Sequence, residues 1–381
     1  MTGVCVIGAG LLPFGRHEDS LLADMAIEAA FLAIRDAGIA PQAIEAGFFA
    51  NVLGGLLFGD LTVGQSVFAD LGITGGPVVN VENACASGSS AFTLAYNAIA
   101  AGEVESAIVL GAEKMCVPGL GLLNSGKNEL ETRLGLVTPA SFGLRAQRHI
   151  HEFGTTLEQL ALVSVKNRAH AAANPHALFR DPVTLDEVLN SPMIADPLTR
   201  YQCCPVADGA AALVLAGGKT AAAARRAINI DAAILCSGSY QTPVDLVRWE
   251  TDRRGCELAY KKAGLGPDDL DLVECHDAFS IAEILHYEAL GLCAEGDGGR
   301  LVAEGATRLG GRVPVNVSGG LIGRGHPLGA TGVAQIVEIV TQLRGEAGAR
   351  QVENARVGLA HCMGADRQGD ARACTVAILS R

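Results

Sequence analysis

Four short segments of this 381-residue chain carry residue types that do chemistry in combination. The first is Asn83-Ala84-Cys85-Ala86-Ser87-Gly88. It follows Pro77 to Val81, which reads as a strand, and it opens a helix of small residues with Phe92, Leu94, Ala95 and Ile99. A cysteine at such a turn sits at the positive end of a helix dipole, where its pKa falls and the thiolate becomes available as a nucleophile. The small flanking residues let a substrate approach the backbone. The same pattern also suits a buried cysteine packing the start of a tight helix. The second segment is Gly325-His326-Pro327-Leu328-Gly329-Ala330-Thr331-Gly332, preceded by Asn316-Val317-Ser318-Gly319-Gly320 and followed by a helix through Leu343. The proline restricts the backbone of the histidine before it. Such a histidine accepts the proton of a thiol and then polarises a carbonyl oxygen, or it is a turn histidine bonded to backbone.

The third is Glu274-Cys275-His276-Asp277-Ala278-Phe279, where a buried strand ends just before a helix. The fourth is His361-Cys362-Met363-Gly364-Ala365-Asp366, expected as a loop between strands Val357–Leu359 and Thr375–Leu379. A lone histidine or cysteine at a strand end also serves structure alone. Yet strand ends facing a following helix or turn are where α/β sheets place their ligands. Gly8-Ala9-Gly10-Leu11-Leu12-Pro13 is different: proline stands where a dinucleotide fingerprint needs its third glycine, so a tight turn is the better reading.

The elements that must hold these residues alternate between strand and helix. A strand at Val4–Ile7 leads to a helix capped by Ser20 and ended by Gly38, and Ser106–Gly111 is a further buried strand. The grammar restarts near Ile228, with a strand Ile230–Leu235, a helix Arg254–Ala263 and a strand Leu270–Cys275. Ala33 to Pro41 lines up with Ala259 to Pro267, each a helix end, a glycine stop and a proline turn. The expectation is two similar α/β halves packed together, with Cys85 in the first, the other three segments in the second, and a shared site where they meet. Between the halves, Cys116 to about Asp196 has its own texture, rich in Gly, Asn, His and Arg. It reads as an insertion, helical over Thr156–Ala172, serving as a lid, a ligand platform or merely a solvated face.

Composition sets the outer bounds. The chain is 49% hydrophobic and 18% charged, so it can bury a large core. Its 29 basic and 41 acidic residues leave a net charge of −12, a poor match for nucleic acid or an anionic membrane. The longest uncharged run, Asn83 to Gly102, is too polar to span a membrane. The N-terminus lacks the pattern of a secretory signal. Eleven cysteines, an odd number without a CxxC pair, argue for reduced thiols and against a zinc ribbon, and no metal site is expected. Together these features read as a cytoplasmic protein.

These residues carry a resemblance to the thiolases over nearly the whole length, above all to the sterol-carrier-protein-linked branch and its bacterial acetyl-CoA acetyltransferase-like relatives. Asn83 to Gly88 resembles the family's nucleophile segment, His276-Asp277-Ala278-Phe279 the branch's His-Asp-Cys-Phe, and Gly319 to Gly332 its Gly-His-Pro signature. The resemblance implies the thiolase fold: two βαβαβαββ halves in an α-β-α-β-α layering with an inserted loop domain. The expected boundaries are 1–115 with 197–227, 116–196 and 228–381. It implies an acyl-CoA C-acyltransferase with Cys85 as acyl acceptor and His326 as its activator. His276 and His326 would hold the thioester oxygen, His276 directly or through a water. The N–H groups of Cys85 and Gly364 would form a second oxyanion hole.

The resemblance also implies coenzyme A and acyl-CoA as substrates rather than a resident cofactor, and a homodimer or homotetramer. Phosphates would be met by cations of the insertion, among Arg133, Arg145, Arg148, Lys166, Arg168 and Arg180. Cys204, in Cys204-Pro205-Val206-Ala207-Asp208-Gly209, stands where the family has a serine beside the pantetheine arm. Ala278 replaces the branch's acid/base cysteine. Cys362-Met363-Gly364 matches the Cys-x-Gly motif that supplies it in other thiolases, so Cys362 takes that role. Ala365-Asp366-Arg367-Gln368 then departs from the family's glycine-rich continuation, which leaves open another condensing or acyl-transfer reaction, or a non-catalytic scaffold.

Overall fold

Apolar strands that cannot be wetted on either face must be covered by helices, and the computed structural model is layered accordingly. It describes residues 3–124, 126, 128–240, 245–367 and 369–381. The first half contributes β1 (Cys5–Leu11), β2 (Ala46–Ala50), β3 (Val78–Val81), β4 (Ser106–Glu113) and, after the insertion, β7 (Gly209–Ala216). The insertion holds the short pair β5 (Met193–Ala195) and β6 (Leu198–Thr199). The second half supplies β8 (Ile228–Ser237), β9 (Leu272–Glu274), β10 (Val357–Arg367) and β11 (Asp370–Ser380).

The expected repeat is visible in strand order. The first half runs β3-β2-β4-β7-β1 and the second runs β9-β10-β11-β8, with Val315 bridging parallel to Val273 where the counterpart of β3 belongs. Directions match as well: β2–β4 and β9–β10 are parallel, while β4–β7–β1 and β10–β11–β8 are antiparallel. The halves join where β1 meets β8 at Cys5–Asn229 and Val6–Ile228. The matched helix ends behave alike: Gly38 and Gly264 take left-handed φ of 66° and 69°, each followed by a 3-10 turn starting at Pro41 or Pro267.

Helix Leu22–Ala37 covers β1, β4 and β7 from outside, and helix Glu250–Ala263 covers β8 and β11. Two helices, Ser87–Ala100 and Leu328–Arg344, pack on each other in the middle, between strands of both halves. Small residues make this possible. A Cβ on Gly88 would lie 2.6 Å from the Gly329 carbonyl oxygen, and one on Gly329 would lie 2.6 Å from that of Ala50. Gly88, three residues after Cys85, therefore serves helix contact.

Three expectations about elements need correction. Ser20 does not cap the first helix; Leu21 stands at the cap, and the Asp24 carboxylate accepts its N–H. The helix at Arg254 starts a turn earlier, at Glu250. His361 to Asp366 is not a loop. It lies within β10, paired to β11 from Val357–Ser380 to Arg367–Asp370, because alternate side chains find cover on both faces. Gln368 lies outside the described residues.

The insertion carries helices Thr138–Phe153 and Leu157–Ala172, the latter capped by Thr156, whose hydroxyl accepts the Gln159 N–H. It leans on the second half, packing against helices Ser280–Ala289 and Gly320–Arg324. Adding a methyl at the central crossing tests the packing. Gly88→Ala should destabilise the fold by about 1–3 kcal/mol, the usual cost of overpacking, since its neighbours there include backbone. Urea unfolding monitored by circular dichroism measures this, and an unchanged midpoint would show that the helices can slide apart freely.

Candidate active site

The helix crossing brings the starts of both central helices to one point, and with them Cys85 and His326. His326 Nε2 lies 3.3 Å from Cys85 Sγ. The ring's tautomer follows from its other side. Thr331 Oγ1 donates to the Pro327 carbonyl at 2.8 Å, so towards His326 Nδ1, also at 2.8 Å, it can only accept. Nδ1 therefore carries the hydrogen, and Nε2 is the acceptor aimed at the thiol.

A second thiol–imidazole pair stands beside the first. Cys362 Sγ is 3.4 Å from His276 Nδ1 and 3.2 Å from the Cys85 carbonyl oxygen. The rings of His276 and His326 meet edge to face with centroids 5.1 Å apart. Cys85 Sγ and one ring nitrogen from each histidine lie within 4.8 Å of one another. The structure thus brings Cys85, His326, His276 and Cys362 together. Gly364 joins them: a Cβ there would lie 2.4 Å from the Asn83 carbonyl oxygen. Cys204 borders the group, its N–H donating to the Ala278 carbonyl at 2.9 Å.

The expected thiolate at Cys85 is overturned. Its helix begins only at Ser87. Burial pushes the thiol up to about 12, with the charges of Glu113 and Asp366 adding to the rise and the N–H groups of Ala365 and Cys85 opposing it. Burial, aided by Arg324, drives His326 down to about 3. Burial likewise raises Cys362 well above the usual thiol range and holds His276 well below the usual imidazole range. The site at rest is four neutral groups. The thiol pulled down instead is Cys236, through Cys374 and Arg254.

Several positioning residues escaped the sequence reading. The buried Glu113 carboxylate accepts from Asn51 Nδ2 and the N–H groups of Val52, Leu53 and Gly329, which docks the start of the second half's central helix against the first half. A charge ending an otherwise apolar strand was its signal. Burial raises this carboxyl to about 7 against those donors. Asp277 accepts the N–H groups of Leu321 and Ile322, so Gly320, at φ +58°, is pressed on it; a Cβ there would come within 2.3 Å of Oδ2. Asn316, also left-handed at φ +57°, receives the Cys275 N–H.

Half of the proposed phosphate cations are spent elsewhere. Arg145 is buried against Asp366, Lys166 against Glu283, and Arg168 donates to the Asp181 carbonyl. Arg148 pairs with Glu152 on the surface, and Arg133 and Arg180 are exposed.

A resting thiol predicts a pH profile. Below its pKa of about 12, the Cys85 thiolate fraction grows with pH, so its alkylation by iodoacetamide should rise about tenfold per pH unit from 6 to 9. Mass measurement of the Cys85 peptide over time gives the rate. A plateau through neutral pH would reveal a preformed thiolate–imidazolium pair.

Comparison with known proteins fits this arrangement. A thiolase N-terminal domain matches residues 4–219, and a thiolase C-terminal domain-like family matches residues 237–381. An acetyl-CoA acetyltransferase of Methanothermobacter thermautotrophicus is 41% identical over 100% of both chains. Sterol carrier protein 2 of Homo sapiens is 39% identical over 95% of this chain and 70% of its own length. Among solved structures, a chain of an Ltp2-ChsH2(DUF35) aldolase superposes with a TM-score of 0.85 at 25% identity, covering 100% of this chain and 98% of that one. With both halves matched and a relative of this identity spanning its full length, the chain belongs to the thiolases.

Proposed function

We propose that this protein is a thiolase-type acyl-CoA C-acyltransferase, cleaving a 3-oxoacyl-CoA with coenzyme A or condensing two acyl-CoAs in reverse. The observation that carries the reading is the 3.3 Å contact between Cys85 Sγ and His326 Nε2, with the tautomer set to accept the thiol proton. An acyl acceptor with its base in place is what acyl transfer needs and what a scaffold does not. Retro-aldol cleavage, the alternative raised by the aldolase likeness, has no use for an acyl acceptor either.

In cleavage, Cys85 Sγ attacks the C3 carbonyl as its proton passes to His326 Nε2. The new Nε2–H then faces the oxygen on which charge develops. Neutral resting groups suit this, since the proton moves together with the attack. The C2–C3 bond breaks, the acyl group stays on Cys85, and the departing enolate takes a proton at C2 from Cys362. Cys362 gives its own hydrogen to the Cys85 carbonyl at rest, so His276 Nδ1–H is the donor towards the Cys362 sulfur and steadies the thiolate that the proton transfer leaves. That tautomer leaves His276 Nε2 to accept from a water whose other hydrogen meets the thioester oxygen. Coenzyme A then attacks the acyl group: its thiol proton passes to the Cys362 thiolate, the proton held by His326 Nε2 returns to the departing Cys85 sulfur, and the shortened acyl-CoA leaves.

The backbone N–H groups of Cys85 and Gly364 are proposed as the second oxyanion hole, and the N–H of Ala365, beside the same sulfur, as an adjunct to it. Cys204 is proposed to line the pantetheine path, supported by its contact with the Ala278 segment. The division at 1–115 with 197–227, 116–196 and 228–381 belongs to the same reading, supported by the start of β8 at Ile228. So do a homodimer or homotetramer and a cytoplasmic location. Among the described residues no helix is long and apolar enough to cross a membrane.

Two substitutions separate the steps. Cys362→Ala should still form the acyl-enzyme on Cys85, read as a mass increase of the Cys85 peptide, but lose carbon–carbon bond formation and cleavage by about 10²–10⁴-fold. Both activities surviving would assign the proton to another group. His326→Ala removes base and oxyanion donor together, so acylation itself should fall by at least about 10²–10³-fold. Acylation near the wild-type rate in that variant would reduce the Gly-His-Pro turn to a structural part.

A further inference from the structure

Behind His276 and Cys362 lies a second cluster that the acyl-transfer chemistry does not use. Asp252 comes from helix Glu250–Ala263, His286 from helix Ser280–Ala289 and His361 from β10, and all three side chains are fully buried. Asp252 Oδ2 is 3.3 Å from His286 Nδ1, and Oδ1 is 3.4 Å from His361 Nε2. Both Asp252 oxygens, His286 Nδ1 and both nitrogens of His361 lack a short, well-aligned hydrogen-bond partner, although the three residues attract one another electrostatically. Buried polar atoms without aligned partners are costly, and the four that meet around Asp252 need a cause.

The tautomer of His286 narrows the cause. Its Nε2 lies 3.0 Å from the His276 carbonyl oxygen, which can only accept, so Nε2 carries the hydrogen. In the neutral ring, Nδ1 is then a lone pair, and it faces a carboxylate. Lone pair against anion is repulsive unless a positive charge lies between them. A proton would draw the partners into a charge-assisted hydrogen bond of about 2.7–2.9 Å. The observed separations are longer on both sides of Asp252. Ligand atoms around a tetrahedral zinc ion stand about 3.3–3.6 Å apart for bonds of 2.0–2.2 Å, and one Asp252 oxygen with one nitrogen of each ring lie within 4.8 Å of one another, near enough for an ion to gather them.

We propose that Asp252, His286 and His361 form a binding site for a divalent transition metal, zinc by ligand type. The hydrogen bond from His286 to the His276 carbonyl is the outer contact that metal-bound imidazoles usually make; it fixes the tautomer that offers Nδ1. Three protein ligands leave one position for a small ligand such as water. The ion would tie the backbone of His276 to the strand residue just before Cys362. Its role is therefore positional, and the site itself does not depend on the acyl-transfer reading.

The test is elemental analysis of the full-length protein purified without chelator, with Cys85→Ala, Asp252→Asn and His286→Gln variants alongside. The Cys85 pocket also gathers thiol and imidazole, so the first variant separates the two sites. About one zinc per chain is expected in wild type and in Cys85→Ala, falling to about none in His286→Gln and Asp252→Asn. Because either substitution can disturb folding, wild-type protein stripped by chelator and titrated with Co²⁺ gives a second reading. A visible ligand-field band should saturate near one equivalent and be displaced by Zn²⁺. Zinc and band both absent from wild type would overturn the proposal and leave the cluster to hold a proton. So would metal kept by His286→Gln, or metal lost in Cys85→Ala alone.

Discussion

One buried carboxylate sets the relation between the two halves. Glu113, at the end of β4, gathers N–H groups from the turn after β2 and from Gly329, the second residue of the second half's central helix. A fully buried acid needs those donors, because each unsatisfied polar group would cost several kcal/mol in the interior. Satisfying it forces the helix start against the sheet, where only glycine fits: Gly111, Gly88 and Gly329 all leave less than 3.0 Å for a Cβ. His326 lies three residues before Gly329 and Cys85 three residues before Gly88. The same contact that closes the interface therefore sets sulfur against imidazole.

That closure also explains why the site is neutral. A helix end lowers a thiol's pKa only while the thiolate stays solvated, and here the second half takes the place of water. Burial then outweighs the helix end, raising both thiols and lowering both imidazoles. The tautomers become the working variable. Thr331 sets Nδ1–H on His326, and Cys362, whose hydrogen goes to the Cys85 carbonyl, sets Nδ1–H on His276, so one ring accepts a thiol proton at Nε2 while the other offers its Nδ1–H to a sulfur.

The sequence made several strands of each half legible, because buried strands are short apolar runs between glycine and proline punctuation, but not β2 or β7 nor the order in which strands pair. It made the reacting residues legible because glycine, proline, histidine and cysteine are types a turn or a reaction requires. It was misleading where the outcome depends on what comes to lie opposite. His361 to Asp366 is punctuated like a loop, yet β11 pairs with it throughout. The cations of the insertion are written like a phosphate patch, yet Arg145, Lys166 and Arg168 meet partners more than ten positions away. Asp252, His286 and His361 come from three elements, so no local spacing announces them.

The departure after Gly364 follows the same logic. Ala365 holds a left-handed φ of +56°, a conformation that usually selects glycine and costs a side chain roughly 1–2 kcal/mol. Something must hold the strand in that shape. Asp366 accepts from Ser141 at 2.9 Å and from the fully buried Arg145 at 3.0 Å, and Arg145 lies over the rings of Phe142 and Trp249. Across the hairpin on β11, opposite Ala365, Arg372 donates to both the Asp366 carbonyl and Glu129. Where the family's pattern relies on glycine to let the chain turn beside the nucleophile, this chain fastens the turn to its insertion. Asp366, within β10, and the buried Arg145 are thus two sides of one contact. Through it the insertion determines where the Ala365 N–H stands relative to the sulfur of Cys85.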